Sequence, residues 1–382
     1  MTGGLKNRGR TRADTDERRK AVEEYSGSKL DCISEYAFDP LLAERNIENM
    51  IGTVQVPLGF VGPLKVNGDH AKGEFLVPMA TTEGALLATV NRGCSALTVA
   101  GGANVFVVKD EMTRAPVFRV RDLRHGHEAS SWIGTHSSEI MSAAESTTKH
   151  GKLVGVRTFL SGRSLFVRFS FETGDAMGMN MATIASERAA KVIEEGTGAK
   201  LISVSGNLCV DKKPSGVDYI LGRGKTVLAD ATLSKEVVAE KLKTTPDMIA
   251  EAAFRKNLVG SALSLSMGQN AHVANMLAAV FIATGQDPAQ VVEGSMGMTT
   301  AEVVDEDLYI SLRLPALEVG TVGGGTKLPC QSEALSIMGC HGTGKAKKFA
   351  EIVAAVTLAG ELSTLAAQAT GALASAHQAL GR

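Results

Sequence analysis

The spacing of apolar and polar residues divides the chain into stretches of different rhythm. Residues 1 to about 13 are rich in Gly, Arg and Lys with no apolar period, which reads as a disordered tail. Thr15-Asp16-Glu17 then opens a helix with acids in its first turn, ending near Gly27, and a second short helix is expected after Asp39-Pro40. Over residues 54–78 short β-type runs are broken by Gly and Pro. Ala80-Thr81-Thr82-Glu83 opens an apolar helix that stops at Gly101-Gly102, with Thr81 or Thr82 as its cap and Glu83 in its first turn.

Residues 115–204 keep a separate rhythm. A strand at 117–120 is followed by an amphipathic helix at 128–144 and a hairpin of runs 154–160 and 165–171 around Ser161-Gly162-Arg163. Asp175 is expected to cap a helix closed by Gly196, before a last strand at 201–204. That β-α-β-β-α-β order is the ferredoxin-like split motif. Beyond Pro214 the pattern predicts long helices with one β-rich interlude at 308–314. An apolar helix at 264–284 closes at Gly285. Residues 347–380 are Ala-rich and helical, though Gly360, Gly371 and several threonines argue against one rigid rod.

The resulting fold class is α+β. A helical N-terminal piece (1–45) leads into a large helix-rich domain with a long central helix (46–114 and 215–382). The small ferredoxin-like domain (115–204) is inserted into it, and the loop 205–214 connects the two. A chain of 382 residues supports such a division.

Composition narrows the function. With 44% hydrophobic and 21% charged residues the chain is an ordinary globular one, and a net charge of −1 gives no basic field for polyanions. Aromatics at 4% are too few for nucleic-acid stacking surfaces. The five cysteines are widely spaced and never Cys-x-x-Cys, which predicts free thiols in a reducing cytoplasm. The N-terminus lacks a secretory h-region, and the most apolar run, 273–284, is too short to span a bilayer. A soluble protein is expected.

Several motif matches fail. Gly339-Cys-His-Gly-Thr-Gly344-Lys345-Ala346 nearly forms a phosphate loop, but Ala346 stands where a hydroxyl would hold magnesium. Gly222-Arg-Gly-Lys-Thr226 lacks the upstream glycine, no Gly-x-Gly-x-x-Gly follows a strand, and scattered histidines predict no metal site. Two stretches remain. Asp175-Ala-Met-Gly-Met-Asn180 could offer free backbone N–H groups at a helix start. The loop 205–214 carries Asp211, Lys212 and Lys213 before Pro214, a held loop whose lysines suit either solvent or an anionic substrate.

These stretches belong to a longer series. Glu48-Asn-Met-Ile-Gly52, Pro78-Met-Ala-Thr-Thr-Glu-Gly84, Asn91-Arg-Gly-Cys94, Asp175 to Asn180, Gly206-Asn207 with Asp211-Lys-Lys-Pro214, Lys256-Asn-Leu-Val-Gly-Ser261, Asn270-Ala-His272, Gly285-Gln-Asp287, Gly320-Thr-Val-Gly-Gly-Gly-Thr326 and Ala359-Gly-Glu-Leu-Ser363 appear in this order. Together they resemble 3-hydroxy-3-methylglutaryl-CoA (HMG-CoA) reductase, in the class I form and without a preceding membrane anchor.

The resemblance implies four-electron reduction of HMG-CoA to mevalonate and CoA with two NADPH, the committed step of the mevalonate route to isoprenoids. It assigns Lys212 to the substrate oxygen, Glu83 to proton donation there, Asp287 to linking the two, and His377 to protonating the CoA thiolate. Arg114, Ser205, Asp211, Lys213, Lys256 and Asn270 would bind substrate. The cofactor would lie along Asp175, Met177, Gly178, Met179 and Asn180, approached by Val322 and Gly323. Thr148 and Lys149 fall where relatives hold the 2′-phosphate. The resemblance also implies a homodimer sharing its site between subunits, with a tetramer compatible, and no metal. Two readings compete: an NAD-dependent enzyme running toward mevalonate oxidation, and a non-enzymatic ligand sensor built on residues 115–204.

Overall fold

The computed structural model describes residues 9–370. Helix α1 (Arg12–Ser26) starts three residues earlier than its acidic turn suggested. Thr11 and Asp14 form a reciprocal capping box, and Gly27 ends the helix in the left-handed conformation. The turn after Asp39 is a short 3-10 segment, Pro40–Ala43. Strands β1 (Leu58–Gly68) and β2 (Lys72–Ala80) form an antiparallel hairpin.

Helix α2 (Leu86–Val99) corrects the expectation for Glu83. Its N-cap is Ala85, without a side-chain cap, and Thr81 Oγ1 accepts instead from the Glu83 N–H. The left-handed Ala85 breaks the helix there, so Glu83 sits on the turn before α2 rather than in its first turn.

Strand β3 (Ala103–Arg114) passes Ala115-Pro116 and resumes as β4 (Val117–Arg119). Where one amphipathic helix was expected, α3 (Leu123–Thr135) and α4 (Ser137–Glu145) are separated at His136. The hairpin β5 (Lys152–Ser161) and β6 (Ser164–Glu172) follows, then α5 (Met179–Thr197) and β7 (Lys200–Ser203). Within this part the order across the sheet is β7-β4-β6-β5, all neighbours antiparallel.

The chain beyond Pro214 is less helical than its composition suggested. Residues read as a failed nucleotide motif begin strand β8 (Gly224–Leu233), where Val227, Ala229, Ala231 and Leu233 are buried on alternate positions. The expected helix 264–284 is only α6 (Val273–Thr284), because Leu265 is left-handed and residues 265–272 form a loop. Strands β9 (Met298–Val304) and β10 (Asp307–Leu317) complete a ten-stranded sheet ordered β7-β4-β6-β3-β8-β10-β9, with β1 beside β3, β2 beside β1 and β5 beside β6. Because β3 pairs with both β8 and β6, one sheet runs through two cores. One core gathers β1, β2, β8, β10 and the helices around them, and the other gathers Phe118, Ile133, Phe169 and Phe171.

Helix α7 (Ala346–Ala369) threads the larger core as one unbroken helix of 24 residues. Gly360 lies against Met276 with no room for a Cβ, so its cost in helix propensity is offset by close packing. Thr357 Oγ1 donates to the Val353 carbonyl at 2.7 Å, which satisfies the hydroxyl within the helix. Over 346–369 the chain is therefore one rod despite its glycine and threonines. Among the described residues α7 alone is long and apolar enough to cross a membrane, and here its apolar stretch is wholly buried in the protein. Two buried carboxylates on it serve other loops: Glu351 accepts from His70 and Ala71, and Glu361 from Ala271, His272 and Thr299.

Candidate active site

The loop 205–214 is bent more sharply than its glycine content explains. Asn207, Val210 and Lys212 all have positive φ, at 61°, 50° and 59°, and a β-branched valine there is strained. Many bonds hold it. Arg168 Nε donates to the Leu208 carbonyl at 3.1 Å, Thr113 Oγ1 to the Cys209 carbonyl at 3.1 Å, and Gly206 N to the Ala115 carbonyl at 2.7 Å. Ser205 Oγ lies 3.3 Å from Cys209 Sγ, so Ser205 is partly used within the loop. The Lys212 N–H donates to Glu293 Oε1 in a short hydrogen bond.

Beneath the loop lies Arg223, fully buried. Its Nη1 meets Glu293 at 3.0 Å, Gln290 at 3.3 Å and Glu318 in a short contact, while Nη2 reaches Asp211 at 3.1 Å and Met179 Sδ at 2.9 Å. Oxygens of Asp211, Glu293 and Glu318 converge within 4.8 Å of one another, a set that could suit a metal ion, and the guanidinium is the cation among them. Burial raises the proton affinity of Glu293 and of Glu318 despite this arginine, the latter well above the usual carboxylate range. Asp211 behaves oppositely: burial would raise it, but Arg223, Gln290, Arg114 and Lys212 together hold it below its usual value. Asp211 is thus an ionised strut, also 3.6 Å from Arg114 Nη1.

A second buried pair flanks the loop. Arg168 Nη2 lies 3.1 Å from Asp218 Oδ1, both side chains almost inaccessible. Burial pushes Asp218 up to about 7, against the pull of Arg168 and Arg223.

Above the loop, Lys212 Nζ lies 2.9 Å from Asp287 Oδ2, with 44% of the lysine side chain exposed. The hydrogen bond that it donates to Asp287 holds the ammonium above its ordinary pKa, so it stays charged. Asp287 is fixed because its other oxygen caps the turn at Ala289 N, 3.0 Å away. Glu83 does not complete this pair; its Oε1 accepts from Asn275 Nδ2 at 3.3 Å. Lys213 Nζ folds back to the Asp211 carbonyl at 3.1 Å.

Pro214, Lys256, Asn270, Ala271 and His272 line one open groove of about 770 Å³, and Glu83, His272, Asn275 and Thr364 line an adjoining cavity of about 150 Å³. Lys256 rides on a π-helical stretch, Ala253–Gly260, a distortion frequent at functional sites. Asn270 is internally committed: Nδ2 donates to Ser295 and Gly297 carbonyls, and Oδ1 accepts from Val273 N.

The Asp175 stretch differs from expectation in one respect. Asp175 does not cap α5, whose N-cap is Gly178 (φ 89°) with no side-chain partner. Its carboxylate instead accepts from Gly344, Lys345 and Ala346 N–H at 2.7–3.0 Å, at the start of α7. The near-match to a phosphate loop is therefore an anion nest filled by the chain's own aspartate. Burial would raise Asp175, but the three backbone N–H bonds hold it low. The Asp175 carbonyl also accepts from Thr321 N and Val322 N, which docks the 320–326 loop onto the start of α5. Gly323 and Gly324 have positive φ and open space where a side chain would stand. Thr148 Oγ1 accepts from His150 N and Gly151 N, and Gly151 packs on Met181, so this turn also borders α5. His377 lies outside the described residues.

Sequence reasoning missed Arg223, Glu293, Glu318 and Asn275. Arg223 stood between two glycines in a motif already set aside, and the acids lie 70 and 95 residues further on. Asn275 was visible only as a polar interruption in an apolar helix.

A mixed α/β frame with its charged side chains gathered on loops beside an open groove is the layout of an enzyme. Comparison with known proteins narrows the class to one. The family model for hydroxymethylglutaryl-coenzyme A reductase matches residues 14–382. The 3-hydroxy-3-methylglutaryl-coenzyme A reductase of Pyrococcus horikoshii is 57% identical over 383 residues, covering 98% of this chain and 93% of that one. That of Methanocaldococcus jannaschii is 54% identical over 375 residues, covering 96% and 93%. A solved class II reductase from Streptococcus pneumoniae, bound to NADPH in open conformations, superposes with a TM-score of 0.71 over 96% of this chain and 99% of its own. At 19% identity that likeness speaks for the fold. The chain belongs to the hydroxymethylglutaryl-coenzyme A reductase family.

Proposed function

We propose that this chain reduces HMG-CoA to mevalonate and CoA with two NADPH, and that Lys212 is its central electrophile. The observation that carries the reading is the Lys212–Asp287 pair: a charged, half-exposed ammonium at 2.9 Å from its carboxylate, on a loop held from below by Arg223. Each hydride added to the substrate carbonyl pushes negative charge onto its oxygen, and a preorganised cation lowers that barrier. The balance is one thioester, two hydrides and two protons giving an alcohol and a thiol. Glu83 delivers a proton to the aldehyde oxygen, Asp287 keeps Lys212 aimed, and His377 protonates the departing thiolate. Arg114, Ser205, Asp211, Lys213, Lys256 and Asn270 shape the substrate pocket, with Asn270 acting through the loop it locks.

The residues around α5 fit a nicotinamide cofactor. The helix start at Gly178 has no side-chain cap, Gly323 and Gly324 leave open backbone beside it, and Lys149 is an exposed cation. Met177, Met179, Asn180, Val322 and Thr148 complete that surface, with Asp175 holding it together from behind. When bound there, NADPH would supply the hydrides. The strand order β7-β4-β6-β5 supports a ferredoxin-like small domain at 115–204, set between 46–114 and 215–382 by the loop 205–214. The class I assignment rests on the Met-Gly-Met-Asn form. A dimer sharing its site between subunits, in a cytoplasm that keeps the described cysteines as free thiols, belongs to the same reading.

The test is to follow NADPH oxidation by the folded protein with HMG-CoA and to count two cofactors per mevalonate. Absence of turnover sinks the reading. Specificity constants for NADH and NADPH, measured before and after Lys149→Glu, separate it from an NAD-dependent mevalonate oxidiser. His377→Ala should spare reduction of free mevaldehyde while slowing the full reaction.

A further inference from the structure

We infer that His272 is a positioning residue that sets the amide of Asn275 and, through it, the Glu83 carboxyl; this rests on the reading of Glu83 as the proton donor. Asn275 Nδ2 lies 3.3 Å from both Glu83 Oε1 and His272 Nδ1. One NH2 group thus has two neighbours. The Glu83 oxygen facing this amide accepts, as a carboxylate or as the carbonyl oxygen of the protonated acid, so the amide turns its nitrogen toward Glu83, and His272 Nδ1 must accept the second N–H. The imidazole proton then sits on Nε2. There the Gly360 carbonyl, 3.0 Å away, accepts it, with Thr364 Oγ1 at 2.6 Å. Both partners are on α7, the most buried helix of the fold. The tautomer of His272 is therefore dictated by a rigid core element, and the orientation of Asn275 follows from the tautomer.

The backbone holds the ring in place. Glu361 accepts from the N–H groups of Ala271 and His272, so the residue is pinned to α7 from two sides. The charged groups facing this ring among the described residues are few. Glu83 lies beyond Asn275, and Glu361 on α7 binds the backbone. Lys256 lies 3.4 Å from the Ala271 carbonyl, and Arg92 on α2 is bound to Ser363. Protonation of His272 sets one N–H against another at Asn275. The amide then turns over and presents its oxygen to Glu83, which loses its donor.

Two substitutions separate this role from simple packing. In His272→Asn an amide oxygen can occupy the place of Nδ1 and keep the acceptor for Asn275. In His272→Gln the amide reaches toward Nε2 and α7 but leaves Nδ1 empty. The expected result is a roughly tenfold to hundredfold fall in kcat for His272→Gln, with KM for HMG-CoA nearly unchanged, as for a misplaced catalytic group. His272→Asn should keep most of kcat, and the acid-side decline of its pH profile should move to lower pH than in the parent. Thermal melts of both variants check that they fold. Equal losses in the two, or a larger loss in His272→Asn, would overturn the inference. An arm independent of turnover uses the side-chain amide signals of Asn275 in the 15N-labelled protein, assigned by their loss in Asn275→Asp. In the parent they should show a pH-dependent step that His272→Asn abolishes and Glu83→Gln leaves in place. If HMG-CoA is not reduced at all, the functional reading fails. Flat Asn275 signals in the parent defeat the inference about His272 alone.

Discussion

Two lysine-or-arginine centres sit on opposite sides of one loop, and they treat water differently. Arg223 is wholly enclosed, and each of its nitrogens Nη1 and Nη2 has carboxylate partners. Lys212 keeps 44% of its side chain exposed and has one carboxylate, Asp287. Burying a guanidinium costs several kcal/mol, and close acids with hydrogen bonds can offset that cost. A cation so compensated has little left to give a substrate. The Lys212 ammonium, half in water and with a single partner, can be desolvated by a ligand and turned to a new oxygen. The contrast shows how the loop tolerates left-handed Val210 and Lys212: the buried side supplies rigidity so that the exposed side can supply charge.

The comparison breaks most visibly at Arg223. Arg223→Met removes the cation and leaves Asp211, Glu293 and Glu318 facing one another, so the fold should lose about 3–5 kcal/mol, measured by chemical denaturation. A loss below about 1 kcal/mol would show that the carboxyls simply take up protons and that the network is not what holds the loop. Lys212→Ala should behave inversely. Stability should change by less than about 1 kcal/mol, since an exposed pair contributes little. Transition-state stabilisation should fall by about 3 kcal/mol, roughly a hundredfold in kcat/KM for both HMG-CoA and mevaldehyde. Asp175→Ala is the intermediate case, a carboxylate spent on capping α7. It should cost about 1–2 kcal/mol by thermal melt, with cofactor affinity weakened because the 320–326 loop is anchored by the same turn.

What could be read beforehand divides along physical lines. The β5–β6 hairpin and two helix stops were legible because their signals are local: the turn at Ser161-Gly162-Arg163, and Gly27 and Gly285 in the left-handed conformation. Lys212 and Asp287 were matched by family motifs, and they do lie together. The Asp175 cap was misread because a capping side chain need not serve the helix next to it in sequence. Its N–H partners are 169–171 residues away. The helix boundary before Leu86 turned on one left-handed alanine, which no propensity scale anticipates. Arg223 was illegible for the deepest reason. Whether an arginine between glycines is solvated or enclosed depends on acids brought by three separate segments, two of them 70 and 95 residues away, and composition carries no trace of that convergence.

Asp218 tests the buried side of the comparison through pH. Its partner Arg168 is at 3.1 Å, yet its second oxygen is buried without a hydrogen bond, and burial pushes its pKa up to about 7. The folded state therefore binds this proton more tightly than the unfolded chain, where an aspartate titrates near 3.8. Its contribution to stability is complete below about pH 4 and is lost as pH rises through about 7. Between pH 6 and 8 the loss should be about 1 kcal/mol. Asp218→Asn keeps a neutral group of the same shape beside Arg168 and has no proton to lose. Denaturation of both proteins at matched pH should show the stability difference, parent minus variant, shrinking by that amount from pH 6 to 8. A difference that instead grows with pH would mean that the ionised carboxylate is the favoured form, and that Arg168 compensates Asp218 as fully as the three acids compensate Arg223.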